Sequence, residues 1–225
     1  MSGHSQLIFG TDTVTAKFNL VDPTSIAVVS FDFSGMLEED FWGEDFFKKN
    51  GINAFGFKVR GRNWWQTPDI WPAIAAVNAC ANGMELIGYG GSMGGYGAIN
   101  FAEDLNLRSL IAFSSQYLVD PEKVPFEERW RWETNGLQYI NDKISNSKPF
   151  DHGYMIYDPE SQDAIHADLI LQRHSLTSIM VNGGDHDEVG KLSRLDMLQP
   201  LVLDLIRGEF NMDPFQHELS ARDRA

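Results

Sequence analysis

A serine inside a glycine-rich segment is the feature of this 225-residue chain best suited to covalent chemistry. Residues 88–97 read GYGGSMGGYG, and residues 90–94 within them fit G-x-S-x-G around Ser92. An apolar run suited to a strand, residues 84–89, precedes the serine, and a run suited to a helix, residues 96–103, follows it. Strand, sharp turn and helix in this order form a nucleophile elbow, and small residues let the two elements approach closely. This context predicts that Ser92 is a nucleophile.

The same glycines do not fit a nucleotide-binding loop. A dinucleotide fingerprint needs glycines at i, i+2 and i+5, and counting from Gly88 and Gly90 the third position is Met93. No Gly-Lys-Ser/Thr sequence follows, which excludes a phosphate-binding P-loop. The remaining alternative is a glycine-rich turn that buries a serine without a chemical role.

A serine hydroxyl needs a base within hydrogen-bond reach, and that base needs a carboxylate to orient it. We assign His186 as the base, because it follows the last predicted strand in a glycine-rich loop. Two aspartates follow the preceding strand, Asp158 at its end and Asp163 five residues later. A carboxylate that reaches across a sheet edge usually needs a few loop residues, which favours Asp163, and Asp158 stays the alternative. The aspartate that does not orient the histidine would cap a helix or brace the loop.

Strand-like and helix-like segments alternate along the chain, which predicts a mostly parallel sheet covered by helices on both faces. The predicted strands are residues 6–10, 14–20, 26–31, 52–59, 84–89, 107–113, 153–157 and 177–181, the first two forming a hairpin with a turn signal at 21–24 after it. The predicted helices are residues 37–50, 68–81, 93–104, 161–171 and 192–207. Residues 116–149 break the alternation, and the tail from Asn211 is predicted to be loosely held. In such a sheet the functional side chains gather at the carboxyl ends of the strands.

The chain order Ser92, Asp158 or Asp163, His186 is that of the α/β-hydrolases, and residues 26–207 resemble that superfamily. Segments FKVRGRNWW (residues 57–65), GGY (94–96) and YDP (157–159) also resemble a small bacterial branch of it. The resemblance implies a single α/β-hydrolase domain over residues 1–225, with a mostly parallel sheet, flanking helices and a short cap-like insert at about 116–149. It also implies an acyl-enzyme mechanism and leaves the substrate open.

Two backbone N–H groups are expected to stabilise the oxyanion of such an acyl transfer. One is that of Met93, the residue after the nucleophile, at a helix N-terminus. The resemblance implies that the second comes from the loop after an early strand, here residues 31–35. We name Phe33, with Ser34 as the alternative, although the usual glycine-rich pattern is absent from this loop.

These features predict a serine esterase or related acyl hydrolase that acts on a small-molecule acyl substrate. An acyltransferase or a peptidase with the same three residues is the alternative enzyme, and a binding protein that keeps the fold is the non-enzymatic alternative. Aromatic residues near the predicted active edge, Trp64, Trp65 and Trp130, are expected to bind substrate. Together with the nearby Trp132, Arg60 and Arg62 they are suited to hold a sugar or an anionic group. Their alternative role is ordinary packing.

Composition narrows the possible partners. The formal net charge is −14 with a pI near 4.7, which argues against nucleic acid as a partner. No membrane-spanning run, His-Glu-x-x-His motif or cysteine pair is present, so we expect no membrane, metal or cofactor, and a cytoplasmic location. The single cysteine, Cys80, excludes an intramolecular disulfide and is expected to be a small buried apolar residue.

Overall fold

A computed structural model of the chain describes residues 5–21, 26–144, 147–149 and 152–224, and eight strands in these ranges form one sheet. The strands are β1 (Gln6–Gly10), β2 (Val14–Asn19), β3 (Ile26–Phe31), β4 (Asn53–Val59), β5 (Glu85–Gly91), β6 (Leu107–Phe113), β7 (Tyr154–Tyr157) and β8 (Thr177–Met180). Most of the predicted turn at 21–24 lies outside the described residues.

The order of the strands in the sheet is β1-β2-β4-β3-β5-β6-β7-β8. Strand β2 pairs antiparallel with both β1 and β4, and the strands from β4 to β8 pair parallel to one another. The predicted hairpin and the predicted parallel sheet are therefore confirmed. Because the six parallel strands point the same way, the loops that follow them meet at one edge.

Helices cover both faces of the sheet. They are α1 (Glu44–Lys49), α2 (Ile70–Cys80), α3 (Met93–Asn100), α4 (Arg131–Thr134), α5 (Asp163–Arg173), α6 (Glu188–Arg194), α7 (Leu198–Arg207) and α8 (Met212–Arg222). Helices α2, α3 and α5 share one apolar core, and α1, α6, α7 and α8 share the other. Within β3, Val28 faces the second core while Val29 faces the first, as side chains of a strand buried on both sides must. No helix in the described part of the chain is long and apolar enough to cross a membrane.

The helix predicted over residues 37–50 is wrong for its first half, since α1 begins only at Glu44. Side chains of the sheet and of the loop after β3 hold the preceding backbone in an irregular path of bends and turns instead. The Trp42 N–H donates to Asp32 Oδ1 at 2.9 Å, and the Trp42 carbonyl accepts from Ser30 Oγ at 2.7 Å. Lys58 Nζ donates to the Asp40 carbonyl at 2.8 Å. These tertiary hydrogen bonds replace those that a helix would make.

The carboxyl-terminal region differs from the prediction in two ways. Two helices, α6 and α7, replace the single helix expected over residues 192–207, and the chain between them turns at Asp196 with a φ of 54°. The tail from Asn211 is not loosely held, because α8 packs Leu219 into the second core. Lys191 Nζ pairs with Asp223 at 2.7 Å and fixes the end of α8.

The prediction that Cys80 is buried is wrong, since this residue lies exposed at the end of α2.

Where the structure describes it, at residues 116–144 and 147–149, the insert is mostly irregular and contains only the short helix α4. Its residue Asn141 is fully buried and donates from Nδ2 to the carbonyls of Trp65 and Thr67, at 2.8 and 2.9 Å. The neighbouring Asp142 accepts a hydrogen bond from the Tyr96 hydroxyl at 2.9 Å. The insert is thereby attached to α3 and to the loop after β4.

Close approach between strand and helix at the glycine-rich turn gives a testable requirement. A Cβ on Gly94 would lie 2.2 Å from the backbone carbonyl oxygen of Phe31, which has little freedom to move. Gly94→Ala is therefore expected to lower the free energy of unfolding by about 1–3 kcal/mol, as overpacking does. Urea denaturation measures the change.

Gly10→Ala is the matched control, because its Cβ would meet only side-chain atoms of Leu7 and Thr15, all at 3.4 Å or more. We expect this control to change stability by less than about 0.5 kcal/mol. Equal stability of the two variants would contradict the close approach described for the turn.

Candidate active site

Ser92 lies at the turn between β5 and α3 with φ 52° and ψ −122°. Residues other than glycine rarely adopt this backbone conformation. It costs of order 1–3 kcal/mol and persists only where the surrounding structure imposes it. Here the Ser92 N–H donates to the Phe113 carbonyl at 2.9 Å, and the Ser92 carbonyl accepts from Tyr96 N–H at 2.9 Å. The serine is thus held at the carboxyl edge of the sheet, as the nucleophile-elbow pattern predicts.

The structure brings His186 and Asp163 to this serine. Nε2 of His186 lies 2.9 Å from Ser92 Oγ, and its Nδ1 lies 2.6 Å from Asp163 Oδ2. The two contacts place the imidazole between a hydroxyl and a fully buried carboxylate. If Nδ1 carries the proton and donates to Asp163, Nε2 is free to accept the serine proton.

Asp158, the alternative acid, makes other contacts. Its Oδ1 accepts from Glu160 N–H at 3.0 Å and its Oδ2 accepts from Asp185 N–H at 2.9 Å. The second bond joins the loop after β7 to the loop that carries His186. Asp158 therefore braces the loops, the role foreseen for the aspartate that does not contact the histidine.

Glu188, the first residue of α6, also belongs to this brace. Its Oε1 accepts from Asp158 N–H at 2.9 Å. Burial raises the pKa of Glu188 to about 8, with the nearby carboxylates of Asp163 and Asp158 adding to the effect. Glu188 is therefore mostly protonated at neutral pH and adds little negative charge beside Asp163.

An arginine from the insert, Arg129, holds the other oxygen of Asp163. Its Nη2 lies 2.7 Å from Asp163 Oδ1 and 2.5 Å from Glu127 Oε2. Glu127 in turn lies 3.0 Å from Nε2 of His166, whose Nδ1 accepts the Tyr117 N–H at 3.0 Å. Because Nδ1 accepts, Nε2 carries the proton that His166 donates to Glu127. The insert thus reaches the acid that orients His186.

The charges of this cluster are stable over a wide pH range. Burial opposes ionisation of Glu127, but hydrogen bonds from His166 and Arg129 outweigh it and lower the pKa of Glu127 to about 2. Burial likewise opposes the charge on Arg129, and its bonds to Glu127 and Asp163 raise its pKa above the ordinary value. Sequence analysis did not identify Arg129, since no local motif marks its partners.

The two expected oxyanion donors come from different parts of the chain. Met93 begins α3, so its N–H belongs to the first turn, where helical N–H groups have no acceptor within the helix. Trp65 Nε1 donates to the Met93 carbonyl at 2.8 Å and fixes this turn. Phe33 and Ser34 follow β3 and line the same cavity as Ser92.

A cavity of about 400 Å³ opens beside Ser92. Its walls come from the loops that follow the parallel strands and from the insert. The lining residues are Phe33, Ser34, Trp42, Arg62, Gly91, Ser92, Phe113, Ser114, Trp130, Trp132, Glu133, His186, Asp187 and Val189.

The expected substrate-binding tryptophans separate into two groups. Trp130 lines the cavity, with its ring centroid 5.0 Å from that of His186. Trp64 and Trp65 are fully buried in the first core and do not line it, which corrects the prediction for these two residues. Their indole N–H groups are used internally, Trp64 Nε1 donating to Glu133 Oε2 at 2.8 Å.

Trp42 and Glu133 also line the cavity but were not predicted, since Trp42 was placed in a helix and Glu133 was not singled out. Arg62 and Trp132, which the sequence analysis grouped with the other residues near the active edge, line it as well. Within the described ranges, no group of three or more histidine, cysteine, aspartate or glutamate residues is arranged to hold a metal ion.

Comparison by sequence identifies no matching family model and no matching curated protein. Comparison by structure does find similar proteins. XC6422 of Xanthomonas campestris, an α/β serine hydrolase without a lid, is 15% identical, with a TM-score of 0.57 over 91% of this chain and 93% of that one. The capsule O-acetyltransferase of Neisseria meningitidis serogroup A is 12% identical, with a TM-score of 0.59 over 88% and 93% of the two chains.

A chain of the Glycosylation Associate Protein (Gap123) complex from Streptococcus agalactiae is also similar, at 16% identity and a TM-score of 0.64. The match covers 88% of this chain but only 45% of that larger one. What these proteins share with this chain is the fold. The chain has the α/β-hydrolase fold.

Proposed function

We propose that this protein is a serine acyl hydrolase that cleaves an ester through an acyl-enzyme on Ser92. The observation that carries the proposal is the position of His186, within hydrogen-bond distance of both Ser92 Oγ and Asp163 Oδ2. A binding protein that merely kept the fold would have no need of these two contacts or of the strained backbone at the serine.

In the proposed reaction Ser92 Oγ attacks the acyl carbon while His186 Nε2 takes the hydroxyl proton. The N–H groups of Met93 and Phe33 are the proposed donors to the resulting oxyanion. The ester C–O bond then breaks, and the leaving alcohol takes the proton from His186. Water, deprotonated by His186, attacks the acyl carbon, and the carboxylic acid leaves as Ser92 Oγ recovers a proton. Asp163 accepts the hydrogen bond from His186 Nδ1 throughout and stabilises the imidazolium.

The apolar part of the cavity suits a short acyl group. A Cβ on Gly91 would lie 3.3 Å from the Trp42 ring, which shows that the ring packs against the end of β5. This ring is stacked on Tyr89, with centroids 4.3 Å apart, and packs edge-to-face on Phe33 at 5.9 Å. Aromatic rings packed in this way leave little room for a long chain next to Ser92.

Acyl transfer to an alcohol other than water is the second candidate. The similarity in fold to a capsule O-acetyltransferase supports it, and the acyl-enzyme step would be the same. The two candidates differ in which hydroxyl attacks the acyl-enzyme. Adding alcohols to an ester hydrolysis and measuring the ratio of new ester to free acid distinguishes them.

Replacing the nucleophile tests the proposal directly. Ser92→Ala is expected to lower ester hydrolysis by about 10⁴–10⁶-fold, as in comparable triads. The wild type should react with a fluorophosphonate probe and cleave p-nitrophenyl acetate faster than p-nitrophenyl octanoate. Labelling of a residue other than Ser92, or unchanged turnover in Ser92→Ala, would contradict the assignment.

The two aspartates provide a matched pair of variants. Asp163→Asn is expected to lower kcat by about 10⁴-fold, because the amide favours the wrong histidine tautomer. Asp158→Asn should mainly lower stability, since its oxygens accept backbone N–H groups. Kinetics on folded, purified protein with urea denaturation of each variant separates the effects. Equal, mild losses of activity in both variants would mean that neither aspartate orients His186.

Arg129→Met should lower kcat, because Arg129 Nη2 holds Asp163 Oδ1 and so fixes the carboxylate that contacts His186. Its loss also leaves the buried Glu127 without its cation, which should lower the free energy of unfolding. Kinetics on folded protein and urea denaturation measure the two effects.

Arg131→Met is the control for this prediction, because Arg131 lies in the same insert and donates to the Pro125 carbonyl at 2.8 Å. It should leave kcat unchanged. An unchanged kcat in folded Arg129→Met would show that the arginine acts only on stability.

A further inference from the structure

Four cavity residues form an interlinked polar and aromatic group, here called the Trp132 rim, made of Ser34, Arg62, Trp132 and Glu133. The Arg62 guanidinium lies 4.5 Å from the centroid of the Trp132 ring, and its Nε lies 3.2 Å from Glu133 Oε1. Ser34 Oγ donates to Glu133 at 3.0 Å. The Glu133 side chain is only 2% exposed, so it serves as the fixed centre of the rim.

Trp132 is the unusual member of this group, because 65% of it is exposed to solvent. A tryptophan held by a stacked arginine at the mouth of a cavity presents a large, oriented apolar surface without being part of the core. Such a surface is suited to stacking with a ligand that enters the cavity, and the insert carries it close to the catalytic residues through Trp130.

The charges around the cavity argue against an anionic ligand. Arg62 is paired with Glu133, and Asp187 lies 3.3 Å from Arg194. The lining residues thus include one arginine, Arg62, and two carboxylates, those of Glu133 and Asp187. The whole chain carries a net charge of −14. An anion would meet no excess of positive charge here, whereas a neutral polar ligand would meet both donors and acceptors.

A sugar ring combines the two properties that the rim selects. The C–H groups on one face of a pyranose can pack against an indole ring. The equatorial hydroxyls of the sugar lie near the plane of the pyranose, where a planar side chain such as a guanidinium can bind them. The Arg62 guanidinium supplies donors in such a plane, and the Ser34 hydroxyl and Asp187 carboxylate supply acceptors.

We propose that the Trp132 rim binds the alcohol part of the substrate and that this alcohol is an uncharged sugar, so that the enzyme acts on short-chain O-acyl carbohydrates. This inference rests on the proposed function of Ser92. Ser92 Oγ forms the bond to the acyl carbon, the bond from that carbon to the sugar oxygen breaks, and the sugar hydroxyl leaves with the proton held by His186. Water completes the cycle and releases the carboxylic acid.

The test compares three acetate esters that present different alcohols to the rim. Methyl 6-O-acetyl-glucopyranoside carries the sugar ring, 2-methoxyethyl acetate has a similar primary alcohol without a ring, and benzyl acetate has a flat apolar ring. We expect kcat/KM for the sugar ester to exceed that for 2-methoxyethyl acetate by about tenfold or more. Release of acetate is measured for the wild type and for two tryptophan variants.

Trp132→Ala should reduce this preference at least fivefold. Trp71→Ala is the matched control, because Trp71 is also partly exposed and has a cation, Lys143 Nζ, 4.5 Å from its ring centroid, but does not line the cavity. It should leave the preference unchanged. A sugar ester cleaved no faster than 2-methoxyethyl acetate, or a preference kept in Trp132→Ala, would overturn the inference.

Benzyl acetate separates sugar recognition from simple apolar stacking. If it is cleaved as efficiently as the sugar ester, the rim is an apolar surface and the sugar assignment is wrong. Fluorophosphonate labelling of Ser92 keeps this failure distinct from a failure of the proposed function. Labelled enzyme without sugar preference refutes only the rim, while enzyme that neither labels nor cleaves any ester refutes the acyl-enzyme on which the rim depends.

Discussion

The close approach of β5 and α3 is the constraint on which the rest of the site depends. A Cβ on Gly90 would lie 2.3 Å from the Gly94 backbone, and one on Gly94 would lie 2.2 Å from the Phe31 carbonyl oxygen. Only residues without a side chain allow strand, helix and neighbouring strand to meet at such distances. The chain between them must turn within one residue, and that residue is Ser92, with its φ of 52°.

The parallel sheet brings the other reacting groups to this turn. His186 follows β8 and Asp163 follows β7, at the same edge as Ser92. The positions of the two loops are fixed relative to each other, because Asp158 and Glu188 join them through backbone N–H groups. Asp158 thus holds the loops, and Asp163 contacts the histidine.

The insert contributes more than a cover. Arg129 binds Asp163 Oδ1. Three residues close to Arg129 in the insert, Trp130, Trp132 and Glu133, line the cavity. A buried carboxylate needs partners for both of its oxygens, and Arg129 binds the oxygen of Asp163 that His186 does not contact. The same short stretch thus supports the acid and shapes the part of the cavity proposed to bind the leaving alcohol.

The sequence alone was sufficient to predict the nucleophile elbow, the alternation of strands and helices and the position of His186 after the last strand. These features depend on local spacing. A tight turn requires small residues next to one another, and a buried strand requires a run of apolar residues, so both can be recognised from adjacent positions in the sequence. Tertiary structure decided the features that depend on distant partners. Asp163 rather than Asp158 contacts His186 because of where α5 begins relative to the loop after β8, and Arg129 belongs to the site because the insert folds back over it. Trp64 and Trp65 are core residues because α3 and the insert cover them. Residues 37–43 do not form a helix because Asp32, Ser30 and Lys58 bind their backbone. No local pattern records such contacts, because they join residues that only the packed fold brings together.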